Sequence, residues 1–213
     1  VAGISSFFKN SGVGVGLPDT GRCIISVEEG KIHVRTSAAC IGQGMATVTT
    51  QIACETLNLP PEMIVAEAPD TRRTPNSGTT TASRQSLFTG EATRRAAMQL
   101  RYELDMGRAL SDLEGEEFYG EYSAKTDPLI NDKKSPVSHA GYGYAAEVAI
   151  LDDKGKVAKF VAAYDMGQVV NPRAAEGQIE GGIAMGMGYA LTEKFALEEG
   201  YVKAKYATLG LVN

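Results

Sequence analysis

A glycine-rich helix near the C-terminal end constrains this chain more than any other stretch of its sequence. Asn171-Pro172 predicts where the helix begins, because Asn caps helices well and the missing N–H of Pro costs nothing in the first turn. Apolar residues then recur at three- and four-residue spacing, as in an amphipathic helix. These residues are Ala175, Ile179, Ile183, Met187 and Ala190.

The same helix contains five glycines, which oppose it by about 4–5 kcal/mol relative to alanine. They are Gly177, Gly181, Gly182, Gly186 and Gly188. Glycine suits a helix whose backbone is approached closely by another element or by a flat ligand. Glu180 stands on the glycine stripe and Glu176 one turn before it. Tight helix packing with an exposed glutamate is the alternative interpretation.

Composition excludes several classes of function. The net charge of −5 over 213 residues argues against nucleic acid as a partner, and no apolar run is long enough to span a membrane. Three cysteines without C-x-x-C spacing indicate buried thiols in a reducing cytoplasm rather than disulfides, zinc or an iron–sulfur cluster. Two histidines are too few for a histidine-built metal site. Because Val1 is not a start methionine and Asn213 follows an apolar run, we expect a piece of a larger protein.

The order of predicted elements favours an α+β fold, in which β-hairpins pack with long helices. Alternating strands joined by short turns predict hairpins at 22–28 with 31–37, 139–151 with 156–164, and 194–197 with 201–206. Helices are predicted from residue 45 to about 58 and from about residue 87 to 107. Residues 63–68 and 118–125 read as further strands. The whole chain, 1–213, would form two lobes, about 1–138 and 139–213.

Gly42-Gln43-Gly44 directly precedes the first of these helices. Glycines at a helix N-terminus allow backbone N–H groups to point outward, where the helix dipole adds partial positive charge. An anion such as a phosphate would bind well there. A plain turn into a helix is the alternative.

The loop before the second helix is rich in hydroxyl groups. Six Ser and Thr side chains lie between Ser77 and Ser86, which is more than helix capping needs. Arg84 could contact an anion through two parallel N–H bonds. Ordinary capping and ligand binding both remain open on this pattern.

Three stretches in this order resemble the molybdenum-binding region of the xanthine dehydrogenase/aldehyde oxidase family of molybdenum hydroxylases. They are Gly42-Gln43-Gly44, the run PNSGTTTAS at 75–83, and the run from Asp165 to Gly182 with Asn171-Pro172 and Gln178-Ile-Glu180-Gly-Gly. The likeness extends over nearly all of the chain and is greatest to bacterial xanthine dehydrogenase molybdenum subunits. It implies part of a molybdopterin-binding domain.

The resemblance also implies a chemistry and its site. Such an enzyme hydroxylates a purine, another N-heterocycle or an aldehyde with oxygen from water, and a molybdenum–molybdopterin cofactor holds the metal without protein ligands. Glu180 would be the general base, and desolvation beside a flat cofactor would suit a base working near neutral pH. The cofactor would contact Gly42, Gln43, Gly44, Thr80, Thr81, Ala82, Ser83, Arg84, Gln85 and Ser86.

The resemblance further implies partners that are absent from this chain. Iron–sulfur clusters and FAD would lie on other domains or subunits of a cytoplasmic enzyme of purine metabolism, a homo-oligomer at full length. The piece alone would be inactive. The alternatives are a non-catalytic binding or assembly module that keeps the fold, and an enzyme that binds phosphate esters without metal.

Overall fold

The computed structural model describes residues 1–204 and residue 210, which form two compact units, Val1–Val170 and Asn171–Asn213. The two lobes suggested by the sequence, about 1–138 and 139–213, stay a prediction. Helices and antiparallel hairpins are grouped rather than alternating, and the predicted α+β class is confirmed.

The first unit contains a four-stranded sheet of β2 (Thr20–Glu28), β3 (Lys31–Arg35), β4 (Ile64–Ala66) and β5 (Glu117–Ser123). The strand order is β4-β3-β2-β5, and a single helical turn at Pro61–Met63 leads into β4. The predicted β2–β3 hairpin is confirmed. Its turn residues Glu29 and Gly30 have φ of 52° and 70°, the left-handed conformation that tight hairpins use.

Two helices, α1 (Met45–Leu57) and α2 (Gln85–Asp105), pack on this sheet and form the core with it. The core is lined by Cys23, Ile25, Val27, Ile32, Val34, Ala53, Leu57, Ala92, Ala96 and Leu100. Helix α2 lies unusually near the sheet. A Cβ added to Gly120 of β5 would stand 2.0 Å from the Ala92 carbonyl oxygen, and one added to Gly21 of β2 would stand 2.3 Å from the Phe88 carbonyl. Only glycine permits this approach.

A second sheet in the same unit has the order β1-β6-β7. The predicted hairpin of β6 (Gly141–Leu151) and β7 (Val157–Asp165) is confirmed. The strand β1 (Ala2–Ser11) was not predicted. It pairs antiparallel with β6 from Ala2 opposite Ile150 to Ser11 opposite Gly141.

The second unit contains α3 (Pro172–Leu191) followed by the short strands β8 (Leu197–Glu198) and β9 (Tyr201–Val202). The predicted helix and hairpin are therefore present, although the hairpin is shorter. The end of its predicted second strand, at residues 205 and 206, lies outside the described residues. Within the described part of the chain, no helix has the length and apolarity needed to cross a membrane.

Candidate functional site

The loop before α1 is open and is held in shape by its own glutamine. Gly42 and Gly44 have φ of 111° and 80°, and a Cβ added to either would meet none of the described residues within 4 Å. The Gln43 side chain bonds within the loop: its amide nitrogen donates to the Ala39 carbonyl at 3.1 Å, and its oxygen accepts the Ile41 N–H at 2.6 Å. The N-terminus of α1 therefore faces open space.

An exposed thiol stands at this N-terminus. Hydrogen bonds from the backbone N–H groups of Gly42, Met45 and Gly44 hold the pKa of Cys40 below its usual value. The Cys40 side chain thus lies where a helix N-terminus stabilises negative charge. The prediction that the cysteines are buried is wrong for Cys40, because its position in the loop, and not its apolar character, decides its exposure.

The loop before α2 contains a run of backbone donors that meet no acceptor in the part of the chain that the structure describes. Gly78, Ala82 and Ser83 have positive φ, and the Ala82 carbonyl accepts the Gly12 N–H at 3.0 Å. Among the described residues, no acceptor meets the N–H groups of residues 79–83. Successive backbone N–H groups in such a conformation form a concave site suited to an anion.

The structure brings the two loops together in the first unit. The Ala39 carbonyl that accepts the Gln43 amide also accepts the Thr80 hydroxyl, at 2.9 Å. Below this contact, the Ser77 N–H donates to the Ser37 hydroxyl at 2.6 Å. Loops separated by some 40 residues of sequence therefore form one surface, in which Gly42–Gly44 and Thr80 are neighbours.

The remaining predicted residues of the second loop divide between surface and interior. Thr81, Ser83 and Ser86 are exposed and Ala82 is half-buried. Gln85 is buried, and its amide nitrogen lies 3.3 Å from the Thr80 hydroxyl. Gln85 thus supports the Thr80 contact from within.

Arg84 is also interior, with 2% of the residue exposed. Its guanidinium forms an ion pair with Asp19 and donates to the carbonyls of Thr79 at 3.2 Å and Thr20 at 2.7 Å. These guanidinium donors are directed at Asp19 and at backbone carbonyls, and a bidentate contact of Arg84 with a bound anion stays a prediction. Sequence reasoning missed Asp19, whose only signal was its place in a turn 65 residues earlier.

Glu180 lies on α3, which begins as predicted: the Asn171 side chain accepts the Ala174 N–H at 2.8 Å. Both Glu180 and Glu176 are exposed, so the second unit does not itself desolvate the candidate base. Within the described residues of that unit, a Cβ added at Gly177, Gly181, Gly182 or Gly186 would meet nothing within 4 Å.

A cluster that sequence reasoning did not single out lies on the four-stranded sheet. Carboxylate and imidazole atoms of Glu28, His33 and Glu67 lie within 4.8 Å of one another, beside a cavity of about 770 Å³. Arg35 forms ion pairs with both carboxylates, and Arg73 lies 3.2 Å from Glu67. Burial disfavours ionised Glu67, but bonds from Arg35 and His33 outweigh it and lower its pKa. Because the arginines already neutralise the carboxylates, the cluster is an ion-pair network of the sheet.

The chain matches a protein-family model for the molybdopterin cofactor-binding domain, over residues 2–113 and 106–208. It is 28% identical to the xanthine dehydrogenase molybdenum-binding subunit of Escherichia coli O157:H7, over 86% of this chain and 29% of that protein. It is 30% identical to the aldehyde oxidoreductase of Megalodesulfovibrio gigas, over 86% of this chain and 22% of that protein. The chain therefore spans less than a third of the length of these curated relatives.

A solved structure shows the same fold. The crystal structure of the aldehyde oxidoreductase from Desulfovibrio desulfuricans ATCC 27774 superposes with a TM-score of 0.75 and 27% identity, covering 91% of this chain and 23% of that one. The family resemblance inferred from three motifs is confirmed, and the chain belongs to the molybdopterin cofactor-binding domain family.

Proposed function

We propose that this chain is part of a molybdenum hydroxylase, which hydroxylates a purine, another N-heterocycle or an aldehyde with oxygen from water. The observation that carries the proposal is the junction of the two loops at the Ala39 carbonyl. Through this junction the N-termini of two helices share one surface of a chain from this family with the N–H groups of residues 79–83, which meet no acceptor among the described residues.

That surface fits a molybdopterin. The cofactor carries an anionic phosphate, which backbone N–H groups and helix dipoles bind without any charged side chain. Gly42, Gly44, Thr80, Thr81 and Ser83 would hold it through backbone or hydroxyl groups, while Gln43, Gln85 and Arg84 keep the loops in shape. Ala82 and Ser86 complete the predicted contact set. The bound cofactor would supply the redox chemistry, and the protein would supply position and electrostatics.

Glu180 is the residue of this chain proposed to move a proton. A carboxylate acts as general base when it lies within hydrogen-bond reach of the proton it removes, and when its surroundings bring its affinity for protons near the working pH. The exposure of Glu180 in its own unit means that cofactor, substrate or other parts of the protein must supply the desolvation.

A non-catalytic binding or assembly module is the second candidate, and the exposure of Glu180 is the observation that favours it. Such a module would bind the cofactor through the two loops and would have no use for the carboxylate. Molybdenum and pterin analysis together with activity separates the two functions.

The whole protein is proposed to pass electrons to iron–sulfur clusters and FAD on other domains or subunits. We propose further that it is a cytoplasmic homo-oligomer. One relative, from Paenarthrobacter nicotinovorans, is named as a subunit of a dehydrogenase complex, which supports a multi-subunit assembly.

The test is Glu180→Gln in the full-length protein, with Glu176→Gln as the matched control one turn away on the same helix. General-base loss predicts a fall in kcat of about 10²- to 10⁴-fold for Glu180→Gln at unchanged molybdenum content. The control should retain activity within a few-fold. A full-length protein that binds the cofactor but oxidises no member of a purine and aldehyde panel would establish the non-catalytic module instead.

A further inference from the structure

We infer that Asp19 and Arg84 form a buried positioning pair, which shapes the loop at residues 77–83 so that the backbone N–H groups of Thr80 and Ser83 face a bound anion. The inference rests on the proposed function and names residues that shape the site from within. Arg84 is 2% exposed and Asp19 5%, and the two form an ion pair beneath the loop.

The guanidinium of Arg84 directs carbonyl groups inward. It donates to the carbonyls of Ser77 and Thr79 in the loop and to that of Thr20 in β2. In a trans peptide the C=O and the following N–H point in opposite directions. The inward carbonyl of Thr79 therefore turns the Thr80 N–H outward, and the Ala82 carbonyl, bonded by the Gly12 N–H, does the same for Ser83.

Asp19 connects this arrangement to a third segment of chain. One carboxylate oxygen pairs with Arg84, while the other accepts the Val13 N–H at 2.7 Å. A Cβ added to Gly12 would stand 2.9 Å from this carboxylate and 3.0 Å from the Phe88 ring, so the glycine-rich run at 12–16 leaves space for the pair. The buried charge is thus neutralised and hydrogen-bonded, as buried charges require.

The position of Arg84 supports a role beyond helix stability. Arg84 is the N-cap residue of α2, where Ser, Thr, Asn or Asp would stabilise the helix best, and it makes no side-chain cap bond. Its side chain instead lies against the Phe88 ring, 5.1 Å from the centroid, with its donors on the loop carbonyls. Arg84 therefore stabilises the loop conformation rather than capping the helix.

The experiment compares full-length variants Asp19→Asn, Arg84→Gln and Arg84→Lys. Molybdopterin and molybdenum per polypeptide are measured after purification, as is the rate of cofactor loss on dilution. Mutation of residues that orient a binding group without touching the ligand typically weakens affinity by about 10- to 100-fold. We expect the affinity for molybdopterin to fall by that amount in all three variants. Arg84→Lys keeps the charge but lacks the planar fork, so it should not restore binding.

Leu100→Ala is the matched control for general destabilisation, because Leu100 is fully buried on α2 and lies in the core cluster, away from both loops. It should lower the melting temperature as much as the Arg84 variants do while keeping its cofactor. Full cofactor content in Arg84→Gln, or restored binding in Arg84→Lys, would overturn the inference and leave the proposed function standing. A wild-type full-length protein without molybdopterin would overturn the proposed function itself.

Discussion

Helices α2 and α3 are almost equal in length, at 21 and 20 residues, but they differ in glycine content and in how closely their glycines are packed. Helix α2 carries a single glycine in a buried surface of Phe, Ala, Thr and Leu, while the glycines that admit it stand on the facing strands at Gly21 and Gly120. Helix α3 carries five glycines of its own, and the described residues of its unit fill the space beside only Gly188.

The surface of α2 is completed by the sheet, which we call the finished interface, whereas the glycine surface of α3 is left open by the described residues of its unit. In α2 the close approach is completed by the sheet, so burial offsets whatever the local sequence costs the helix. In α3 the glycines cost about 4–5 kcal/mol in helix propensity, and the described residues of the unit make no contacts beside Gly177, Gly181, Gly182 or Gly186 that offset this cost. This supports the interpretation that another element or a flat ligand approaches the backbone of α3 closely.

The largest effect is expected from filling the finished interface. Gly120→Val places side-chain atoms where even a Cβ would stand 2.0 Å from the Ala92 carbonyl, so α2 must move away from β5. Overpacking of this kind should lower the free energy of unfolding of the first unit by about 3 kcal/mol, measured by urea denaturation. Gly3→Ala is the control, since nothing lies within 4 Å of its added Cβ, and it should change stability by less than about 0.5 kcal/mol.

Adding a side chain to the open glycine surface of α3 should have a smaller effect, and it should raise stability rather than lower it. Gly181→Ala in the 213-residue chain should stabilise α3 by about 1 kcal/mol, because alanine has the higher helix propensity and the described residues of the unit do not collide with it. Hydrogen exchange of the α3 amides measures this gain. A destabilised α3 would show that Gly181 already faces a partner within this chain, and the contrast with α2 would disappear.

A third prediction compares the reactivity of a buried and an exposed cysteine, and it needs no change in stability. Burial raises the pKa of Cys23 to about 12, whereas backbone N–H bonds lower that of Cys40. The thiolate is the reactive form, so Cys40 should react with iodoacetamide at a lower pH than an ordinary thiol, while Cys23 stays unreacted in the folded chain. Mass spectrometry over a pH series measures both rates. A molybdopterin bound at the α1 N-terminus should protect Cys40, and equal labelling of Cys23 and Cys40 would contradict the packing described for β2.

Sequence patterns over short stretches predicted the elements whose formation depends on neighbouring residues. Apolar periodicity and turn residues located the helices and the hairpins, and three motifs identified the family. The strand β1 was missed because its partner β6 lies 139 residues away and its own sequence, AGISSFFKNS, does not alternate cleanly. The interior position of Arg84 was missed for the same reason, since only the fold places Asp19 beside it. The Ala39 carbonyl, which joins the two loops, has no side-chain signature at all.

The pairing of β1 with β6 also fixes an order of events during synthesis. Every strand of the four-stranded sheet, with α1 and α2, lies between Thr20 and Ser123, so this part of the chain can fold as soon as β5 leaves the ribosome. Residues 2–11 must wait for residues 141–150. Through that interval the edge of β1 that will pair with β6 lacks its partner, and an unpaired edge beside Ile4, Phe7 and Phe8 is prone to pairing with another chain. A nascent chain of this kind is a natural client for a chaperone that binds extended apolar segments.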